Sequence, residues 1–368
     1  MTLQTEPFAV NIGPQHPSTH GVFRLRVVLD GEVIQDLEPI FGYLHRGVEK
    51  LGEERTYIQF ITTTDRMDYM SAMNNEFGYV LAVEKLAGIP VPERAEYIRI
   101  IVAELQRLNS HFMGVGALLN DCGCAATPLL YMFREREKLL DLFEMVCGQR
   151  LTCNYMRPGG VAQDLPEEFM PALTKFVDSM PRCVDEYEEL LLGNEIVQVR
   201  FKEVGILPPE LAIDYSISGP MLRASGVDWD IRKADPYSIY DRFDFDVPLG
   251  KHGDCYDRMC VKLQEMRQSV RIINQAMKDL PKGEVRTRNL PNLLRPPVGE
   301  VYAHIESPKG ELGYFIASDN SIAPYRVHIR PPAFINLGAL REMIAGWKMA
   351  DLVVILGSID ICMGEVDR

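Results

Sequence analysis

The sequence predicts an α+β chain in which a long central helical bundle lies between N-terminal and C-terminal antiparallel β regions. Three observations carry that reading. Apolar residues alternate near both ends, stretches of roughly 18 to 28 residues between them keep a helical period, and helices and strands are grouped where a βαβ fold would alternate them. The 368 residues suffice for one large domain or two closely joined ones. Hydrophobic and charged fractions of 46% and 25% belong to a compact globular chain.

The amino-terminal region carries NIGPQHPSTHG, a Gly/Pro loop with two histidines, ahead of β-rich runs over 23–29 and 32–37. Asp30-Gly31 between them reads as a two-residue hairpin turn, favoured where both central positions need positive φ. From about Asp68 the period turns helical. One helix covers 69–86 and ends at Gly88; the next has Pro92 in its first turn and runs to about Leu119. Stretches 129–148, 166–192 and 255–280 repeat the pattern, which implies a bundle packed along its length. Residues 196–253 read as irregular, and long irregular segments in compact domains are usually functional or contact surface. After the Pro-rich LPNLLRPPVGE, the run VYAHIESPKGELGYFIASDN forms a second hairpin about Pro308 to Gly310. A short helix near 337–350 and a buried strand from Leu352 to Leu356 complete the chain. These changes of pattern divide it into an N-terminal β region with the histidine loop (1–66), a helical bundle (67–282) with an irregular insert (193–253), and a C-terminal β/α region (283–368).

With 39 Lys plus Arg against 52 Asp plus Glu, the net charge is −13, which argues against nucleic acid. No run approaches the roughly 18 apolar residues of a spanning helix. MTLQTEPFAV has neither a secretory signal nor an Arg-rich transit pattern, so the cytoplasm is the default compartment. The eight cysteines form no CxxC pair and read as free thiols, Cys122 and Cys124 as packing residues. GxGxxG after a strand, GxxxxGK[ST], HExxH and EF-hand patterns are all missing.

His16 and His20 sit in a loop where their spacing has no helical meaning. They either cap that loop or display a group that changes charge near neutrality. DRMDY (65–69) places Arg66 and Tyr69 at the start of the first long helix, with Asp68 near the positive end of its dipole. Tyr69 reads either as a buried aromatic with a satisfied hydroxyl or as a donor to a ligand carbonyl; Asp121 reads as a turn residue or a functional acid. HRGVEKL (45–51) and FREREK (133–138), dense in charge, and NYMRPGGVAQDLP (154–166), with Arg157 and Asp164, each read as the solvated or ion-paired surface of a lone chain and the interface of an assembled one. The residues alone yield no catalytic constellation.

NIGPQHPSTHGVFRLRVVLDGE, GYLHRGVEK, DRMDYMSAMNNE, FREREKLLDLFE, RPGGVAQDLPEEF, SGPMLRASGVDWDIRKADPYSIYD, FDVPLGKHGDCYDR, PKGELGYFIASD and the closing GEVDR together closely resemble the D-subunit family of respiratory complex I, the 49-kDa subunit of NADH:quinone oxidoreductase. The resemblance spans nearly the whole chain. EPIFGYLHRG, IRPPAFINL and LGSIDICMGEVDR look closer to the photosynthetic branch, which is served by ferredoxin. The family descends from the large subunit of nickel-iron hydrogenases, which hold their metal with two CxxC pairs. Here TTTDRMDY has no cysteine and DICMGE only Cys362, and one thiolate cannot hold a nickel-iron centre.

The resemblance implies a hydrogenase-like fold in a peripheral-arm subunit of a proton-translocating oxidoreductase, on the cytoplasmic side of the bacterial inner membrane. It implies no cofactor bound by this chain, quinone as substrate, an iron-sulfur cluster in the neighbouring subunit, and NAD(H) used by the complex where an NADH module is present. Implied partners are the iron-sulfur B subunit, which is the small-subunit homologue, the C and I subunits, and the membrane-arm H subunit. By motif, His20 and Tyr69 would hydrogen-bond the quinone carbonyls, Asp121 would pair with His20, and Arg66 would lie beside the partner's terminal cluster. Two-electron reduction of a quinone requires two protons, which such groups can donate. In two places the chain departs from the family. Thr152 in GQRLTCNY stands where many members carry a histidine beside the cluster, which implies a cluster potential less responsive to pH. Between Glu284 and Glu300 only a Pro-rich connector replaces a further helical segment. A second reading is a docking subunit of a hydrogenase-like or formate-oxidising membrane complex without quinone chemistry; the presence of both His20 and Tyr69 favours the first.

Overall fold

The computed structural model describes residues 6–16, 21–124 and 127–368. The N-terminal region holds β1 (Phe8–Ile12), β2 (Gln15–His16), β3 (Gly21–Val22), β4 (Arg24–Asp30) and β5 (Val33–Ile40). Strands β1, β4 and β5 form an antiparallel sheet in that order, and β2 pairs with β3. Asp30 pairs with Val33, so the hairpin turn is Gly31-Glu32, one residue later than the sequence suggests. Of its two residues only Gly31 has positive φ, +63°, and a β-bulge between Val28 and Leu29 absorbs the shift.

Two short helices not read from the sequence follow, α1 (Val48–Glu54) and α2 (Tyr57–Thr64), the second opened by a Thr56/Gln59 capping box. The first long helix, α3 (Ala72–Ala87), starts three residues later than predicted, because residues 65–71 form turns; Gly88, with φ +63°, ends it as expected. Next come α4 (Glu93–Asp121), with Pro92 at its N-cap, α5 (Thr127–Cys147), the small hairpin β6 (Met156–Arg157) and β7 (Gly160–Val161), and α6 (Phe169–Leu192). The supposedly irregular segment contains α7 (Glu195–Phe201), α8 (Pro209–Asp214), α9 (Pro220–Ala224) and α10 (Ile231–Ala234) before α11 (Cys255–Asp279). In the C-terminal region β8 (Gly299–Ser307), β9 (Gly310–Ser318) and β10 (Arg326–Arg330) make a second antiparallel sheet, ordered β10-β9-β8.

The predicted helix over 337–350 is not continuous: α12 (Pro332–Leu337) ends at Gly338, α13 (Leu340–Ile344) ends ahead of Gly346 at φ +83°, and residues from Met349 on belong to the next helix. The predicted strand Leu352 to Leu356 is wrong: those residues lie inside α14 (Met349–Ile359), which packs on α4 and α11. An uninterrupted apolar run carries no period to separate a strand from a buried helix, and here enclosure by two long helices decides. The chain closes with α15 (Met363–Val366). Asp367 then accepts the amide N–H groups of Gly42 and Leu44, both at 2.7 Å, tying the two ends together.

Helix α4 is the axis of the molecule. Every residue from 97 to 112 is buried, yet Glu104, Arg107 and His111 repeat at helical spacing and put a polar seam on one face. Glu104 accepts from Arg232 at 3.1 Å, and from Tyr240 and Ser269 at 2.6 Å. Arg107 donates to the carbonyls of Glu306 and Ser307 at 2.5 and 3.1 Å. His111 Nε2 meets Glu265 at 2.9 Å, and Glu265 and Glu306 both accept from Arg223, at 2.9 and 2.8 Å. The helix thereby holds α11, the 196–253 segment and strand β8 through buried charge. Burial works against ionisation of Glu265, but Arg223 and His111 outweigh it and hold its pKa far below the usual range.

NYMRPGGVAQDLP is not simple surface: of its residues, 155, 156 and 158–161 are buried. Glu76 accepts the amides of Tyr155 and Met156 at 2.9 and 3.0 Å, and Glu84 accepts that of Gly159 at 2.7 Å while pairing with Arg99 at 2.6 Å. A β-carbon on Gly160 would stand 2.1 Å from the Val285 carbonyl oxygen, so only glycine allows that approach.

Glu265→Ala removes the carboxylate partner of buried His111 and one of the two carboxylates that accept from buried Arg223, leaving it Glu306. It is expected to destabilise the chain by about 3 to 5 kcal/mol, read as a lower urea midpoint at unchanged m-value; a midpoint within error of the wild type would contradict the seam's role.

Candidate functional site

A cavity of about 450 Å³ opens beside the C-terminal half of α4. Met113, Gly114, Ala117, Asn120 and Asp121 line it from one face of that helix, at spacings of three and four residues. Tyr69 and Met70 enter from the turn before α3, Lys309 from the β8–β9 turn, and Asp360 to Cys362 from the exit of α14. Tyr69 and Asp121, singled out from motifs some fifty residues apart, therefore share one wall-to-wall space. His20 and the side chain of His16 lie outside the described residues; Gly21, the next residue after His20, lines the cavity.

The cavity floor is charged. Lys309, buried, pairs with Asp68 at 3.0 Å; burial works to lower its pKa, but Asp68, Cys362, Asp360 and Glu365 hold it well above the usual range. Asp68 also accepts from the amide of Met70 at 3.2 Å and the hydroxyl of Ser71 at 2.8 Å, which fixes the turn carrying Tyr69. Tyr69 is 40% exposed, which rules out its reading as a buried aromatic. The Cys362 thiol first, then burial, push its hydroxyl up to about 12, with Lys309 opposing. Cys362 is 2% exposed, points its sulfur at the Met67 carbonyl at 3.4 Å, and is pushed up to about 12 by burial and Asp68. Asp360 caps α14 in the left-handed region, φ +63°, a conformation that aspartate tolerates. Lys262 at 2.8 Å and Lys309 outweigh its burial and hold its pKa at about 2. A β-carbon at Gly114 would stand 2.3 Å from Asp360 Oδ2, so the bare backbone of α4 is what admits this carboxylate. At neutral pH the cavity thus presents a neutral phenol, a neutral thiol, an ammonium and a carboxylate. It can donate hydrogen bonds to an acceptor and protons to a developing oxyanion.

Arg66 and Thr152 belong to a neighbouring face. Arg66 is about half exposed, pairs with Asp65 at 2.8 Å and donates to the Thr62 carbonyl. With Arg46, Arg55, Thr62 and Thr63 it lines a separate hollow of about 370 Å³. Burial raises the pKa of Asp65 to about 6 against the opposing pull of Arg66, Asn154 and Arg157. The hydrogen bond to Asn154 joins the Arg66 turn to the segment holding Thr152, whose φ of +49° is left-handed. Among the described residues no group of three or more His, Cys, Asp and Glu side chains is placed to hold a metal ion, and no helix is long and apolar enough to cross a membrane.

Sequence reasoning missed Lys309, Asp360 and the charged role of Asp68. A lysine at a hairpin turn and an aspartate after an apolar run ordinarily face solvent. The one available signal was the pairing of Gly with charge at PKG and GSID, inside segments otherwise apolar. Glu365 went unread too: burial, then Asp68, raise its pKa to about 8, with Lys309 opposing.

Glu365 carries its proton in the fold up to about pH 8, whereas an ordinary glutamate loses it near 4.5. The stability it contributes is full below about pH 4.5 and lost as pH rises through about 8; Asp65 adds the same sign over a narrower window. Unfolding free energy is expected to fall by up to a few kcal/mol between about pH 5 and 8. Glu365→Gln, neutral throughout, should flatten that slope, and parallel profiles would refute the assignment.

The family model of the respiratory-chain NADH dehydrogenase 49 Kd subunit matches residues 121–296 and 288–368. The NADH-quinone oxidoreductase D subunit of Dehalococcoides mccartyi is 64% identical over 368 residues, covering all of both chains. The D subunit of Desulforamulus reducens is 56% identical over 367 residues, and the D 1 subunit of a Roseiflexus species 55% identical over 374, each covering all of both chains. A match through well over half of the chain, joined to full-length identities of this size, means that this chain belongs to the family of the 49 Kd subunit of respiratory-chain NADH dehydrogenase, the D subunit of complex I.

Proposed function

We propose that this subunit of complex I forms one wall of a quinone head-group site, completed by the adjacent iron-sulfur B subunit, and supports electron transfer from that partner's terminal cluster to quinone. The observation that carries the reading is the meeting of Tyr69 and Asp121 in one cavity that also contains a buried ammonium, Lys309. A quinone offers two carbonyl acceptors and becomes a dianion on two-electron reduction. Tyr69 donates to one carbonyl; His20, oriented by Asp121, donates to the other; Lys309 stabilises the charge between the two proton transfers. Arg66 faces the partner's cluster and favours its reduced form, since a fixed positive charge offsets the added electron. The C and I subunits, and the H subunit in the membrane arm, are the other neighbours in this reading. The assembly sits on the cytoplasmic side of the inner membrane and couples quinone reduction to proton translocation. The division at 66/67 and 282/283 then separates the loop-bearing region, the bundle and the C-terminal β/α region.

Tyr69→Phe and His20→Ala test the reading in the assembled complex. Each is expected to lower quinone reduction on the order of tenfold or more while the complex still assembles and its clusters are still reduced by the electron donor. Full activity in both would defeat the site and leave the chain a docking subunit. Thr152 gives a second test. Because threonine does not titrate, the terminal cluster's midpoint potential should shift little with pH, and Thr152→His should steepen it. An equilibrium redox titration of the wild type with a slope near about 59 mV per pH unit would refute the proposed role of this position.

A further inference from the structure

We propose that Cys122 and Cys124, at the end of α4, are a reversible dithiol–disulfide site whose closure displaces Asp121 from its place in the cavity wall; only the activity readout of this proposal rests on the quinone reading. All eight cysteines are free thiols, and Cys153, Cys183, Cys255 and Cys362 are buried. Cys122 and Cys124 are only half-buried, and their sulfurs stand 3.3 Å apart. A disulfide needs about 2.0 Å between sulfurs, so closure requires a total travel of only about 1.3 Å.

The backbone already makes the turn that such a bond demands. The amides of Cys122, Gly123 and Cys124 donate to the carbonyls of Leu118, Asn120 and Leu119 at 3.1, 3.2 and 3.1 Å, ending the helix in tight successive turns. Gly123 between them has φ +92° and open space around the place of a β-carbon. That conformation brings the two flanking side chains onto one side. Cys122 directs its thiol hydrogen at the Leu119 carbonyl, 3.1 Å away.

Burial, then the hydrogen bond with Cys124, push the Cys122 thiol up to about 12. With its thiol hydrogen held at the Leu119 carbonyl, Cys122 is the second of the pair to react, and exchange starts at Cys124. With a small-molecule disulfide R–S–S–R as oxidant, the Cys124 thiolate attacks one sulfur, forming a mixed disulfide and releasing one thiolate RS⁻. Cys122 then loses its proton and attacks the Cys124 sulfur, releasing the second RS⁻. The protein dithiol has lost two electrons and two protons, and the oxidant has become two molecules of thiol. Asp121 immediately precedes Cys122 and is the last residue of α4, so closing the ring draws on the turn that positions it.

The test uses the assembled complex, equilibrated with glutathione and its disulfide over a range of ratios, quenched with acid, alkylated and mapped by peptide mass spectrometry. The expected result is that Cys122 and Cys124 lose alkylation together, as an intramolecular disulfide without a glutathione adduct, and recover with dithiothreitol. Quinone reduction by the same samples should fall roughly threefold or more in step with closure. Cys124→Ser should abolish that response while leaving basal activity unchanged; it also separates this pair from Cys147 and Cys153, which hydrogen-bond each other elsewhere. Both thiols still alkylated at the most oxidising ratio, or glutathione retained on Cys124, would overturn the site. A disulfide that forms with turnover unchanged would overturn its link to the cavity. If Tyr69→Phe retains full activity the quinone reading fails, whereas the peptide map judges the dithiol independently.

Discussion

The fold depends on buried charge arranged along one face of α4. A helix enclosed on every side is ordinarily apolar all round, yet this one carries Glu104, Arg107 and His111 into the core. Each is matched by groups far away in sequence: Arg232 and Tyr240 on Glu104, the Glu306 and Ser307 carbonyls on Arg107, Glu265 on His111. Burial lowers the pKa of His111 and favours its neutral form, but removing ions such as Glu104 and Arg107 from water costs several kcal/mol apiece, and apolar replacements of equal volume would often be as stable. What the seam provides is uniqueness of arrangement. Arg223 fits only where Glu265 and Glu306 meet, so the segment that carries it cannot slide along the bundle without stranding charge.

The same helix continues into the cavity. One turn beyond His111, Gly114 leaves room for the Asp360 carboxylate, and the next turns contribute Ala117, Asn120 and Asp121 from the adjoining side of the helix. Structural core and candidate site meet at Gly114. Likewise, Arg66 lines the arginine-rich hollow and Tyr69 the cavity, with buried Asp65 paired to Arg66 and buried Asp68 to Lys309. One short turn thus mechanically joins the region expected to face a redox partner with the region expected to hold its acceptor.

The sequence made parts of this legible for physical reasons. Gly88 and Pro92 mark helix ends because one alone adopts the left-handed region freely and the other cannot donate within a helix; Gly88 stands where expected, and Pro92 stands one residue outside the first turn, at the N-cap. Leu352 to Leu356 misled because a fully buried run has no polar face to reveal its period. The insert 196–253 read as irregular because its helices are only four to seven residues long, too short for a pattern to emerge. Within the site, Tyr69 and Asp121 came from motif resemblance. Lys309 did not, because its partner Asp68 is 241 residues away in sequence and nothing local distinguishes it from a solvated turn lysine.

The connector after α11 is held at its start by the small hairpin. Val161 donates to the Val285 carbonyl at 2.9 Å and Thr287 to that of Gly159 at 2.7 Å, while Leu294 is buried and Leu293 between these anchors is 54% exposed. Extra chain inserted around 289–293 would emerge into solvent without moving either anchor, and lengthening a surface loop costs little entropy. Evolution can therefore treat that loop as an adjustable tether, retailoring what the protein touches outside while the bundle inside stays the same.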